Sequence, residues 1–439
     1  MRLFFLTPFA LLGCQATSSI EIKDPGGSET DADTDADGDA DGDADGDADG
    51  DADGDADADG DADPDVPEVV PDIVVDCNGG GDFVNIQDAI DAAVSPADIA
   101  LDPCVYHERI DYLGKDLNIY GTEGSARTTI DGGRGGTVVD VEVYEQGHVR
   151  LAGITVTGGY DVSDGAAIEV KESSLELEDV VLEDNIGLYL LRSWGANIDM
   201  VDVVIDGNDV AVGGSAVYMD GSTLNMDRTY INCDGGDQAV WHHVQLLVVD
   251  SEIECDSGYG IHDYHGYDAI YRSRVYGGVA GVLAYDNEST DEEPDSPSEL
   301  FITENSVIGG GSIGADIRYM NLQLENTVFY GGDAALSMTQ CNSSSYAINS
   351  VFADSACGIL GDQAFEHGYS AFWGNAADGC GLTVRPAVSD DPQFASWPDD
   401  LTLSAGSPLI DAGSPEAAYN DGDGSRNDIG RYGGPRGDW

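Results

Sequence analysis

Positive charge is scarce in this sequence. Over 439 residues, 17 lysines and arginines face 85 aspartates and glutamates, for a net charge of −68. DNA and RNA binders need basic side chains against phosphates, so the deficit excludes a nucleic-acid partner. It equally excludes docking on anionic lipid through a basic surface. Residues 1–72 carry −21 of this charge and residues 73–439 the remaining −47, so the body of the chain is itself acidic. Uninterrupted apolar runs of the about 18 residues that span a membrane are also missing. None of the 8 cysteines falls in Cys-x-x-Cys spacing, which argues against a metal cluster built on them. Helical periodicity is confined to one short segment, so a helical repeat is excluded as well.

The N-terminus has Arg2 followed by an apolar run over 3–12, then Gly13 and Cys14. This reads as an export signal. Leu11, Leu12, Gly13 and Cys14 resemble the bacterial lipobox, which implies lipidation of Cys14 and a lipid anchor as the sole membrane contact. Gln15 after the cysteine resembles the version sent to an outer membrane or cell surface. Every odd position over 31–65 is aspartate, separated by alanine, glycine, one threonine and one proline. Such a segment buries no apolar surface and repels itself, so 14–76 reads as a disordered tether. Asp41, Asp43, Asp45 and Gly46 match the start of an EF-hand loop. Position twelve would be Ala52, with no glutamate, and the solvated-spacer reading is preferred, with weak Ca²⁺ condensation compatible with it.

The body repeats. Ile86, Ala89, Ile90, Ala93 and Val94 form one face of a short helix. After it, apolar anchors recur at Ile130, Val156, Leu182, Ile205, Ile231, Ile253, Val275, Val307, Val328 and Val351, with Ala371 as a further candidate. Their steps are 26, 26, 23, 26, 22, 22, 32, 21 and 23 residues, the long one containing a Ser/Glu/Asp/Pro-rich loop over 286–298. A second motif places Ile168, Leu188, Val217, Val240, Ile261, Val282, Ala315 and Leu336 in a parallel column. Two motifs in one rhythm of this length predict an all-β solenoid, a parallel β-helix of roughly eleven or twelve rungs at ~4.8 Å each.

The segment 82–90 (DFVNIQDAI) then resembles the N-terminal cap of right-handed parallel β-helix proteins of the pectin-lyase-like superfamily, as do 105–110 and 119–121. Pro103-Cys104-Val105 departs from the Pro-Gly usual there. The end, 407–413 and 428–430, resembles the closing segment of secreted bacterial members. The resemblance covers 77–435 and implies fold; that fold carries lyases, hydrolases, adhesins and stalks alike.

Seven cysteines remain besides Cys14. Cys77 and Cys104 flank the helix, Cys233 and Cys255 occupy one motif position on adjacent rungs, and Cys357 with Cys380 is the preferred third pair, leaving Cys341. Strand alternation turns Glu169, Tyr189, Tyr218, Trp241, His262, Leu283, Asp316 and Ser337 outward, and next to them Lys171, Leu191, Asp220, His243, Tyr264, Tyr285, Arg318 and Thr339. The line Tyr189, Tyr218, Trp241, His243, His262 and Tyr264 suits stacking against sugar rings, or else simply stabilises neighbouring strands. Alternation turns His242 and Asp263 inward on neighbouring rungs, which suggests either a buried hydrogen-bonded pair or a local bend of the strand. The expected function is therefore a surface module binding an extracellular polysaccharide or a surface protein. The rival is a Ca²⁺-dependent polysaccharide lyase or hydrolase, for which Asp220, Asp263, His243 and Arg318 are the available groups. No cofactor is required by the first reading. Asp421, Asp423 and Asp428 form a further candidate Ca²⁺ loop, or a turn that closes the last coil.

Overall fold

The computed structural model describes residues 70–142, 148–264, 266–285, 300–341, 345–362 and 365–437. The lipobox cysteine, the Asp-rich tether, His265 and the loop over 286–298 lie outside them. Within the described residues, 33 strands join in one hydrogen-bonded parallel system, apart from one antiparallel pair, Phe394–Ser396 with Asp400–Leu403. The chain is an all-β parallel solenoid.

Its start lies earlier than the sequence suggested. Ile73–Val75, expected in the tether, is the first strand and pairs with Ile99–Leu101. The capping helix Ile86–Ala92 buries Ile86, Ala89 and Ile90. It ends before Val94, which is 84% exposed. Its ends are held by side chains of the first coils. The Ile86 and Gln87 amides donate to the Glu108 carboxylate, and Lys115 Nζ donates to the Ile90, Asp91 and Ala93 carbonyls. These contacts satisfy groups that a helix end leaves unpaired, with charges matched to the dipole.

The first anchor column stacks as expected from Ile130 through Val156, Leu182, Ile205, Ile231 and Ile253 to Val275. Then it slips by one residue. Val275 pairs with Ile308, and the column continues through Phe329, Phe352 and Phe372, whose rings stack at 5.5 and 5.0 Å. Val307, Val328, Val351 and Ala371 face the other way, where Leu401, Leu409 and Ile429 of the C-terminal segment cover them. Both faces of these strands are buried, so apolar residues occupy consecutive positions and alternation no longer marks the inside.

Between columns the chain turns through left-handed residues, among them Arg228, Asp250, Arg272, Asn305, Asn326 and Asn349. Among residues with a side chain, asparagine and aspartate tolerate that backbone best. Its side chains also dock the C-terminal segment: Asn305 donates to the Arg431 carbonyl, Asn326 to that of Gly430, and Asn349 accepts from the Ser414 amide. A hydroxyl follows each turn. Ser251 and Ser273 donate to the carbonyls of Val249 and Tyr271 and accept the amides of Thr229 and Ser251 on the preceding coil. Three disulfides join Cys77–Cys104, Cys233–Cys255 and Cys357–Cys380, and Cys341 is buried and free. Three bridges fit an extracellular protein. No helix among the described residues is long and apolar enough to cross a membrane.

The hydroxyl ladder is testable. Ser273→Ala leaves the buried Ser251 amide without its acceptor, so stability should fall by about 1–3 kcal/mol. Chemical denaturation of the variant checks this, and an unchanged midpoint contradicts a structural role for the ladder.

Candidate functional site

The outward column of the central sheet is set by pairing. Arg192, Tyr218, Trp241, His262, Leu283, Asp316 and Ser337 follow one another on successive coils. One expectation is corrected here. The strand Ile186–Trp194 is irregular at Gly187–Tyr189, and Leu191, not Leu188, pairs with Ile168 and Val217. Leu191 is therefore buried in the core column instead of outward. Arg192 and Trp194 take the outward positions that the sequence motif gave to Tyr189 and Leu191. The run Leu188-Tyr189-Leu190-Leu191 fits the small-apolar-x-apolar motif in more than one phase, and core volume selects among them. Tyr189 still reaches the face, its ring 4.5 Å from that of Tyr218.

The rings form two lines. Tyr218 and Trp241 stack at 4.3 Å with planes 6° apart, so each closes one face of the other to a ligand. In the second line His243, Tyr264 and Tyr285 meet edge to face at 5.7 and 5.2 Å. His243 Nδ1 is 3.5 Å from Asp220 Oδ1, with both side chains about one-third exposed. Trp194 pairs with Lys171 on one side and Asp220 on the other, and is 57% exposed. Sequence reasoning missed it because the bulge hides its phase. Beside Tyr189, Arg192 Nη1 is 2.5 Å from Asp164 Oδ1 and 3.5 Å from Glu169 Oε1. Burial raises the Glu169 carboxyl above its ordinary range, opposed by the Gly165 amide and the Arg192 guanidinium. His262 sits between Tyr259 and Tyr285, and neither ring nitrogen has a hydrogen-bond partner. Burial, and then the nearby His242, push it down to about 4. Immediately after His243, Val244 holds φ 134°, which is strained for a β-branched residue.

The four groups proposed for catalysis are not brought together. Asp220 pairs with His243. Arg318 lies four coils further along that column, about 19 Å away at the ~4.8 Å coil spacing, and is bound to Asp316 at 2.5 Å. Asp263 points inward and is fully buried, beside the equally buried His242, as alternation indicated. Asp268 joins them from the next strand, a residue the sequence motif did not single out. Desolvation, then the Asp268 carboxylate, raise Asp263 to about 8, while burial lowers His242.

In the C-terminal loop Asp421 accepts the amides of Asp428 and Gly434, Asp423 accepts that of Ser425, and Asp428 accepts that of Asp411. These carboxylates close the turn with backbone bonds. The set of three potential metal-ligating groups that does gather among the described residues is His242, Asp263 and Asp268. Elsewhere, a cavity of about 360 Å³ is lined by Arg228, Arg272, Arg274 and Arg431 with Asp250 and Glu252. Three of these guanidiniums are engaged: Arg272 grips Asp250 through two 2.7 Å bonds, Arg228 holds Asp202 at 2.7 Å, and Arg274 donates to the Asp399 carbonyl.

No protein-family model matches the chain, and no curated protein does. Among solved structures, it is similar to the A-module of a mannuronan C-5 epimerase from Azotobacter vinelandii, at 14% identity over 68% of this chain and 85% of that one, with a TM-score of 0.38. A surface adhesin of Streptococcus pneumoniae aligns at 11% identity over 70% and 92%, with a TM-score of 0.34. A pectate lyase aligns at 12% identity over 80% and 90%, with a TM-score of 0.35. Likenesses this distant carry nothing about activity, and the fold stands on the chain's own strand pairings.

The stacked pair makes a prediction. Trp241→Ala removes a half-buried ring that lies flat on Tyr218, and should cost about 1–3 kcal/mol of stability. A melting curve checks it; an unaltered transition contradicts the stacking.

Proposed function

We propose that the protein is an exported, lipid-anchored surface protein of a bacterial outer membrane or cell surface. Its solenoid holds out an aromatic and histidine face that binds an extracellular polysaccharide. The observation that carries this reading is the exposed Trp194, paired between Lys171 and Asp220 and followed by the Asp220–His243 pair and Tyr264. An exposed indole with hydrogen-bonding side chains on the neighbouring strands suits a pyranose ring. Tyr218 and Trp241 each have one ring face closed by the other, which leaves Trp194 as the more open ring. The anchoring part rests on the Arg2, apolar and Leu-Leu-Gly-Cys sequence, and the disulfides accord with export. The body's acidic surface sets the ligand's charge: a neutral polymer can approach directly, whereas a polyuronate is repelled unless Ca²⁺ bridges it.

The test is retention on immobilised neutral glucans, xylan and mannan, and on polygalacturonate and alginate with and without Ca²⁺, with parallel assays for new reducing or unsaturated ends. Retention without products is expected. Trp194→Ala should weaken it about 5- to 100-fold, the scale of one aromatic anchor, with melting unchanged. Turnover that is lost on changing Asp220 or His243 overturns the binding reading in favour of a lyase or hydrolase. Absence of both retention and turnover favours a surface-protein partner. Cys14→Ser should shift the protein from the membrane fraction to the soluble one; unchanged detergent partitioning contradicts the anchor.

A further inference from the structure

Directly beneath the outward face, three inward side chains converge. His242 lies between Trp241 and His243 in the strand Gln238–Val249, and Asp263 between His262 and Tyr264 in Tyr259–Tyr264. Asp268 comes from Tyr267–Tyr271 after the intervening turn. All three are completely buried. His242 Nε2 is 3.3 Å from Asp263 Oδ1 and 3.0 Å from Asp268 Oδ1. Neither contact has hydrogen-bond geometry, and neither His242 nitrogen has a partner, so the ring addresses the space the two carboxylates share. One donor atom from each residue lies within 4.8 Å of the others.

The turn is shaped around one of these carboxylates. The Gly266 amide donates to Asp263 Oδ2 at 3.1 Å, and a Cβ on Gly266 would stand 2.3 Å from Asp263 Oδ1. Only glycine fits, and its amide orients the carboxylate as outer-shell donors do around metal ligands. Two carboxylates in an apolar core are costly unless their charge is cancelled. A divalent cation cancels it completely.

We propose that His242, Asp263 and Asp268 form a structural site for a divalent first-row transition metal, Zn²⁺ foremost. Imidazole nitrogen with two carboxylate oxygens suits Zn²⁺, Mn²⁺ or Co²⁺, whereas Ca²⁺ and Mg²⁺ prefer oxygen cages of more ligands. Donor separations of 3.0 and 3.3 Å are those of neighbouring ligands about 2.0–2.2 Å from one ion. The ion would tie three strands together under Trp241, His243 and Tyr264, holding the candidate face rigid. A buried site of this kind loads as the chain folds.

The full chain, refolded with Zn²⁺ and desalted to strip ions held loosely by the Asp-rich segment, should retain close to one equivalent by elemental analysis. X-ray absorption of that sample should show one imidazole and oxygen donors at about 2.0–2.2 Å, with no sulfur. His242→Gln should retain at least ten-fold less, and chelation during refolding should lower the melting temperature of the wild type. Retention near zero, sulfur or several imidazoles in the spectrum, or equal retention by His242→Gln overturns the site. Should the variant fail to fold, the wild-type spectrum decides alone. Loss of this site leaves the saccharide reading standing, because retention on polymers is measured separately.

Discussion

The backbone hydrogen bond between one coil and the next, in unbroken parallel register, is the constraint on which everything else depends. Once Val156 is held over Ile130 and Leu182 over Val156, every other side chain of those coils has its neighbours assigned. Chemistry then accumulates by column. Valines and isoleucines stack inside, serine hydroxyls relay amides from coil to coil, and asparagines occupy the left-handed turns where the C-terminal segment docks. Cysteines at one position of adjacent coils meet for the same reason. Each contact is modest, and repetition makes the sum large.

The same constraint lets one strand carry two chemistries. Along Gln238–Val249, Trp241 and His243 face outward and His242 faces inward, so an outward aromatic and histidine face and a buried cluster of ionisable groups share a backbone. The strained Val244 lies where the pairing of this strand with the preceding coil shifts register. Charge follows a similar economy. Arg192 of the face and Arg228, Arg272 and Arg274 of the lateral cavity are tied to carboxylates or carbonyls, at Asp164, Asp202, Asp250 and the Asp399 carbonyl. They offset local repulsion within an acidic body.

Much of this was legible in the sequence, because column spacing is a property of the chain alone. The anchor rhythm identified the solenoid, cysteine positions within that rhythm identified two bridges, and the cysteines flanking the cap helix a third. The inward turn of His242 and Asp263 followed from alternation. What escaped was phase. At Val307-Ile308 and Val328-Phe329 both positions are apolar, and only the C-terminal segment lying across the coils explains why the inner one is the second. At 186–194 the bulge decides between leucines that read alike, which hid Trp194 and misplaced Leu191. Asp268 was out of reach for a different reason. It lies beyond a turn, outside the repeating motif, and only the packing of that turn around Asp263 brings it to His242.

The central claim is that the outward face around Trp194, Asp220, His243 and Tyr264 meets the ligand. Hydroxyl-radical footprinting, with and without the polysaccharide retained best, tests it residue by residue. Trp194, His243 and Tyr264 should be protected, while the exposed Tyr160 and Tyr369 keep their reactivity. Protection at Tyr230 beside the arginine-lined cavity, with Trp194 unchanged, would contradict the account and move the binding surface to that cavity.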